Sequence, residues 1–370
     1  MTSRDDIVAA LRSVIDPELR RPITELDMVG ETSDDGTTLS VEIKLTVAGC
    51  PAADRIEADV RGALSAAFST REIAVRLSVM SPVERQALKD KLLDGRAPRS
   101  NPFGAGSLTR VYLIGSGKGG VGKSSLTANL AVALAAKGLR VGLVDADIFG
   151  FSIPGQLGIT AKPTRLDDMI LPPVAHGVKV ISIGMFLEEN KPVAWRGPML
   201  HRAVEQFLVD VYWGDLDFLL VDLPPGTGDV AISLGQLLPS AKTVVVTTPQ
   251  VAAADVAERS GSVGLQTGQT VFGVIENMSW LQQADGSRLE LFGAGGGDAV
   301  ARRLSKLSGS TVEVLGQVPI SVRLRECSDA GTPVVLEQPD DVATVSILGI
   351  AEKFAEDRIG LSGRRLKLSV

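Results

Sequence analysis

The chain has 370 residues, a formal net charge of −6, 44% hydrophobic residues and only 4% aromatic ones. That length holds two or more domains, and their core must be built mainly from Ala, Val, Leu and Ile, which suits parallel α/β layers covered on both faces. The acidic balance offers no broad basic surface for nucleic acid, and two cysteines exclude a disulfide framework and suit a reducing cytoplasm. The start Met-Thr-Ser-Arg-Asp-Asp leads into an amphipathic segment, not a signal peptide, and no run of about 18 apolar residues exists, so no membrane partner is expected.

Residues 1–95 predict a small α+β domain. Ile7–Ile15 has helical periodicity and stops at Asp16-Pro17. Leu39–Val47 alternates apolar and polar residues, as a half-buried strand does; Ala53–Phe68 is helical, and Glu72–Val79 alternates again. Residues 96–107 are rich in Pro, Gly and Ser and read as a linker. From 108 to 358 the pattern is βα repeated, with strands expected at Val111–Ile114, Val141–Val144, Val178–Ile183, Phe218–Val221, Thr243–Thr247, Val271–Glu276 and Val312–Val318. Strands alternating with helices argue for a doubly wound, mostly parallel sheet. Residues 359–370 form a basic tail that reads as solvated and frayed.

The densest chemistry follows the first of these strands. Gly117 to Ser124 fits GxxxxGK[ST] between an apolar strand and an Ala/Leu-rich helix, the context of a P-loop. Gly117, Gly119, Gly120, Val121 and Gly122 let backbone N–H groups wrap a phosphate, and the helix start at Ser124 and Ser125 adds its positive dipole end. Lys123 is expected on the β- and γ-phosphates of ATP, and the Ser124 hydroxyl on Mg²⁺.

Further carboxylates follow later strands. Val141–Val144 leads into Asp145-Ala146-Asp147, at the strand end where α/β sheets bind ligands; either Asp also reads as a cap for the next turn. Phe218–Val221 leads into Asp222-Leu-Pro-Pro-Gly-Thr-Gly-Asp229, a Walker B form whose Asp222 can hold Mg²⁺, followed by a constrained loop able to sense a γ-phosphate. Asn277 follows a late strand, and its amide can donate and accept at an adenine edge, or form a turn. Gln317-Val-Pro319 is a second candidate beside the base. The two histidines, His176 and His201, read as structural or exposed, and exclude a His-rich metal site. Trp195–Met199 reads equally as a partner loop, with Arg196 on phosphate, or as a structural turn.

The second lysine of the loop, Lys118, makes GKGGVGKS resemble the deviant Walker A loop of the MinD/ParA/NifH class of ATPases. That resemblance implies that Lys118 reaches the nucleotide of a partner subunit, and so a homodimer formed across ATP. It also implies that Asp147 orients the attacking water and that Asp145 helps hold the Mg²⁺ shell. Over nearly all of 108–358 the chain resembles the Mrp/ApbC P-loop ATPases, through GSGKGGVGKSS, DADIFGFSIPGQLG, WRGPML, Asp215–Asp229, Thr248-Pro249-Gln250 and Ile275–Ser279. The N-terminal part resembles the small PaaD-like domain often fused to them, through Asp16–Leu19, Leu26–Val29 and Leu45–Pro51. The resemblance implies binding and transfer of iron–sulfur clusters to apoproteins. One departure matters: the CxxC common soon after Ile275–Ser279 is missing, since Trp280–Arg288 has no cysteine. The alternative is a nucleotide-gated dimeric scaffold that holds no cluster. Cys50, in a Gly-Cys-Pro turn that can expose a thiolate, reads equally as a structural residue or as the remaining candidate cluster ligand; Cys327 reads as inert.

Overall fold

A computed structural model describes residues 2–93, 100–104, 106–148, 150–187 and 197–357. Trp195, Arg196, most of the linker 96–107's first half and the tail 359–370 lie outside the described residues. The chain divides into two compact units.

The first unit is Met1–Asn101 with two later segments, Ala161–Val174 and Val209–Gly214. Helix α1 (Arg4–Ala10) begins three residues before the apolar periodicity, because Ser3 and Asp6 form a capping box. It tightens into a 3-10 turn at Leu11–Ser13, so the helix predicted to reach Ile15 ends early. Strands β1 (Val29–Asp34) and β2 (Thr38–Leu45) pair antiparallel; after helix α2 (Ala53–Ala67), β3 (Glu72–Val79) pairs parallel with β2. β1 is not evident from the sequence: it has one apolar side chain, and its register shifts between Val29 and Thr32. Helix α3 (Pro82–Leu93) completes the N-terminal part. The core is Leu11, Leu26, Leu39, Ile43, Ile56 and Leu64, joined by Leu166, Met169 and Leu171.

The second unit holds the βα repeat. Strand β4 (Arg110–Ser116) feeds helix α4 (Lys123–Ala136), followed by β5 (Val141–Asp145) and a short helix α5 (Ile153–Gln156). The chain then leaves this unit: β6 (Thr164–Leu166) and β7 (Met169–Leu171) form an antiparallel hairpin that belongs to the first unit. It continues through β8 (Val174–Ala175), β9 (Val178–Ser182), α6 (Gly197–Val209), β10 (Phe218–Asp222), α7 (Asp229–Leu237) and β11 (Lys242–Thr247). After these come α8 (Val251–Gln266), β12 (Thr270–Gln282), β13 (Arg288–Leu289), α9 (Gly296–Ser308), β14 (Val314–Ile320), α10 (Val322–Ala330), α11 (Val334–Glu337) and α12 (Val342–Glu356).

The sheet order is β13-β12-β11-β4-β10-β5-β9-β8, with β14 also on β12. Its central pairs are parallel, while β13 runs antiparallel to β12, so the sheet is mixed. β12 runs six residues beyond its predicted end, because it continues into the hairpin with β13; Asn277 therefore lies within the strand. Helix α4 is apolar nearly all round, and Leu126 to Leu134 are buried, as expected of a helix enclosed by its neighbours. β4, β10 and β5 are neighbours, so Ile114, Asp222 and Asp145 stand side by side, and β4 runs on to Ser116 at the mouth of the loop.

Candidate nucleotide site

Two glycines give the loop after β4 its shape: Gly120 (φ 77) and Gly122 (φ 76) adopt left-handed backbone that side-chain-bearing residues rarely take. Gly122 then stands at the start of α4, aiming that helix's free N–H groups into the loop. A cavity of about 710 Å³ opens here, lined by Lys118, Gly119 to Ser125, Asp147, Gly150 and Pro225 among others.

At its floor is a charged cluster. Lys123 Nζ lies 2.8 Å from Asp222 Oδ2. Ser124 Oγ donates to the same oxygen at 2.5 Å, and Thr127 Oγ1 donates to Oδ1 at 3.0 Å. Asp222 is fully buried; burial raises its pKa, while Lys123 and the hydroxyls oppose that rise. Thr127 was not singled out by motif, yet it lies one helical turn after Lys123, on the same face of α4.

Asp145 is also fully buried. Its carboxylate accepts from Asp147 N at 3.2 Å, Ile153 N at 3.3 Å and Ser182 Oγ at 3.2 Å. Burial, and then the nearby Asp222 charge, push its pKa up to about 7. Asp145 thus ties down the turn that carries Asp147. Asp147 lines the cavity, and its Oδ1 accepts from Gly150 N at 3.0 Å.

Lys118 is half-buried, and its Nζ donates to Gln250 Oε1 at 3.0 Å. Asn277 is buried and donates to the Val121 carbonyl at 2.8 Å. Its amide braces the P-loop backbone. Gln317 donates to Glu276 Oε1 at 2.8 Å, and Glu276 Oε2 accepts from Gly297 N at 2.6 Å, so Gln317 is committed to that network. His176 is exposed and His201 half-buried; neither lines the cavity.

The donor set suits a Mg²⁺-bound nucleotide. Hard oxygens of Ser124 and one carboxylate, an ammonium and free helix N–H groups are what phosphates and Mg²⁺ take. Among the described residues no group of three or more His, Cys, Asp or Glu side chains is placed to hold a metal ion, and no helix is long and apolar enough to cross a membrane.

Of the two cysteines, Cys50 departs from the exposed-thiolate reading. Cys50 is buried, not exposed, and its thiol donates to Glu18 Oε2 at 3.7 Å. Burial, then the Glu18 charge, push it up to about 11. Glu18 Oε1 accepts from Thr164 Oγ1 at 2.9 Å, and burial raises its own pKa. Cys327 is half-buried on α10 and packs on the core of the second unit.

Comparison with known proteins agrees with this geometry. Residues 107–355 match the family described as NUBPL iron-transfer P-loop NTPase, and residues 4–75 match the iron–sulfur cluster assembly protein family. The chain is 53% identical to the iron-sulfur cluster carrier protein of Mycobacterium tuberculosis (strain ATCC 25618 / H37Rv), over 99% of this chain and 98% of that one. It is 37% identical to the protein of the same name from Synechocystis sp., over 96% and 98%. A nucleotide-binding protein from Archaeoglobus fulgidus, solved in complex with ADP, is similar at 34% identity and a TM-score of 0.53, over 63% of this chain and 89% of that one. The Pyrococcus furiosus cell division ATPase MinD shares the fold, at 22% identity and a TM-score of 0.50, over 66% and 98%. With the loop, the strand-end carboxylates and the added small unit, these likenesses place the chain in the Mrp/ApbC-like family of iron–sulfur cluster carriers, as a P-loop ATPase of the MinD/ParA/NifH class.

Proposed function

We propose that this ATPase is a nucleotide-gated homodimeric switch in iron–sulfur cluster maturation, one that positions partner proteins and holds no cluster through a CxxC of its own. The cysteine inventory carries the reading. Trp280–Arg288 has no cysteine, and the chain has two, Cys50 and Cys327, in different units. Cys50 favours the protonated thiol, which is a poor ligand. The carrier reading, in which the chain itself binds clusters and delivers them to apoproteins, draws on the name of the relatives.

In the proposed cycle Lys123 exchanges Asp222 for the β- and γ-phosphates of ATP. That exchange leaves Asp222 and Ser124 to hold Mg²⁺. The bound Mg²⁺ would neutralise phosphate charge. Asp147 orients the attacking water with the carboxylate oxygen that Gly150 leaves open. Lys118 reaches the nucleotide of the second copy, and Asn277 holds the loop beside the base.

Anaerobic reconstitution with iron and sulfide, followed by transfer to an apo acceptor, separates the two readings. Wild type, Cys50→Ser and Cys327→Ser are expected to behave alike, with no stable cluster by absorbance or intact mass. A stoichiometric cluster that either substitution abolishes would establish the carrier reading instead.

A further inference from the structure

The two P-loop lysines are held differently. Lys123 is paired with a buried carboxylate, whereas the Lys118 ammonium donates to the neutral amide of Gln250. Both ends of that contact are anchored. A Cβ on Gly117 would lie 2.2 Å from the Val256 carbonyl carbon and 2.4 Å from Ala257 N, so the loop rests on the backbone of α8 one residue before Lys118. Gln250 is the residue that precedes α8, and its side chain caps no N–H of that helix. From the other side, a Cβ on Gly296 would fall 2.4 Å from the Thr248 carbonyl oxygen and 2.6 Å from that of Pro249. The start of α9 therefore presses on the segment leading into Gln250. The two side chains spring from one packed block, yet each remains long and adjustable.

The chemistry of the contact is suited to release. An amide oxygen offers one hydrogen bond without the attraction of a full negative charge. It also holds a cation at the positive end of α8, where a cation is disfavoured. A phosphate outcompetes such a partner, whereas a carboxylate gives up its lysine only when another cation takes its place, as Mg²⁺ would for Lys123 on Asp222.

We propose that Gln250 is a positioning residue that parks Lys118 on its own subunit until a second nucleotide-loaded copy arrives. The inference rests on the dimer reading given above. Because the ammonium must leave Gln250 before it reaches the second copy, the strength of this contact sets the protein concentration at which the ATP dimer forms.

The test uses the full chain with ATP and Mg²⁺. It measures nucleotide binding at protein concentrations too low for association, and dimer formation by light scattering across a concentration series. Gln250→Ala and the size-matched Gln250→Met are each expected to lower the midpoint of dimer formation at least about tenfold, because each dimer releases two such contacts, one per protomer, and each is a hydrogen bond to a charged group. Gln250→Glu is expected to raise the midpoint by about tenfold, as a charge-assisted contact holds Lys118 back. Single-protomer nucleotide binding should stay within about twofold in all three, since in wild type Lys118 stays on Gln250 throughout that step and the contact is neither made nor broken in it. Unchanged midpoints in Gln250→Ala and Gln250→Met, or a lower midpoint in Gln250→Glu, would overturn the parking role. Lys118→Ala is the separate control on the dimer reading: if it still dimerises like wild type, that reading falls, whatever the Gln250 variants do.

Discussion

Asp145 and Asp222 are register partners across the parallel β5–β10 pair, at the ends of both strands, and both are fully buried. Two adjacent carboxylates without water are not both easily ionised. Asp222 has Lys123 as its counter-charge, while Asp145 has, among the described residues, a hydroxyl and backbone N–H groups. The proton therefore belongs on Asp145, whose pKa is pushed up to about 7. A folded-state pKa above the unfolded value means that the folded chain binds this proton more tightly. The associated stability is full below the unfolded carboxylate range and is lost as pH rises through about 7. Asp145→Asn cannot ionise. In the nucleotide-free protein its stability relative to wild type is expected to rise by about 2 kcal/mol between roughly pH 5 and pH 8. Urea denaturation at the two pH values measures this, and a pH-independent difference would show that Asp145 ionises as an ordinary carboxylate.

Lys123→Ala removes the cation that Asp222 touches among the described residues and leaves it with the hydroxyls of Ser124 and Thr127. Breaking a buried pair costs about 3 kcal/mol while the remaining charge persists. Asp222 is expected to take a proton as pH falls, so the loss of stability should be smaller in acid than at neutral pH. ATP hydrolysis should fall by at least about a hundredfold, since a positioned cation on the phosphates is gone. Equal destabilisation at both pH values would mean that Asp222 stays charged without Lys123.

Asp147→Asn and Asp222→Asn are expected to fail in different ways. Asp147 lines the cavity, whereas Asp222 lies beneath the loop among Lys123, Ser124 and Thr127. Asp147→Asn should retain Mg²⁺-ATP and hydrolyse it about 10²- to 10⁴-fold more slowly, as loss of a water-orienting carboxylate does. Asp222→Asn should shift the Mg²⁺ titration to higher concentration. Superimposable Mg²⁺ titrations and rates would remove the division of labour between them.

Gly117 and Gly119 are both glycines of the motif, yet their surroundings differ. A Cβ on Gly117 collides with the backbone of α8, whereas one on Gly119 meets nothing closer than Pro225 Cγ at 4.0 Å. Gly117→Ala is expected to lower stability by about 1–3 kcal/mol through this overpacking and to weaken nucleotide binding. Gly119→Ala should remain within about 0.5 kcal/mol of wild type. Thermal melts with and without ATP compare them, and equal loss in both would place the effect in the loop's own conformation.

The P-loop, Asp147 and Asp222 could be read from the sequence because each lies in a short segment that carries its own strand and turn. Partners brought by tertiary packing could not. Thr127, Ser182 and Gln250 touch site residues through helix face, neighbouring strand and helix start, and a hydroxyl or amide at those positions looks like any other. Asn277 reads from the sequence as a contact for adenine, whereas the structure gives its amide to the Val121 carbonyl, a partner that no local pattern shows because β12 runs on past its apolar stretch. Cys50 misled for a related reason: Gly-Cys-Pro signals a turn, and only the fold shows that turn closing over Glu18 and Thr164. Residues 161–174 were hidden most completely. Leu166, Met169, Ile170 and Leu171 suit a βα unit as well as an excursion, and nothing local says which core receives them.

That excursion bears on where the chain can be divided. Proteolysis at the Pro- and Gly-rich stretch 96–107, or a fragment of residues 108–370, retains the P-loop, Asp147, Asp222 and Asn277. It also retains β6 and β7, whose Leu166 and Leu171 are fully buried in the core of the first unit. Stripped of residues 1–107, those side chains lose their packing, each with about 1.5–3 kcal/mol of burial. The fragment is expected to bind ATP, yet to aggregate and to bind an apolar dye such as ANS more strongly than the full chain. Replacing residues 161–174 with a short Gly/Ser linker in the fragment should restore solubility without loss of nucleotide binding. A soluble 108–370 fragment with no added dye binding would mean that the hairpin finds cover within its own half of the chain.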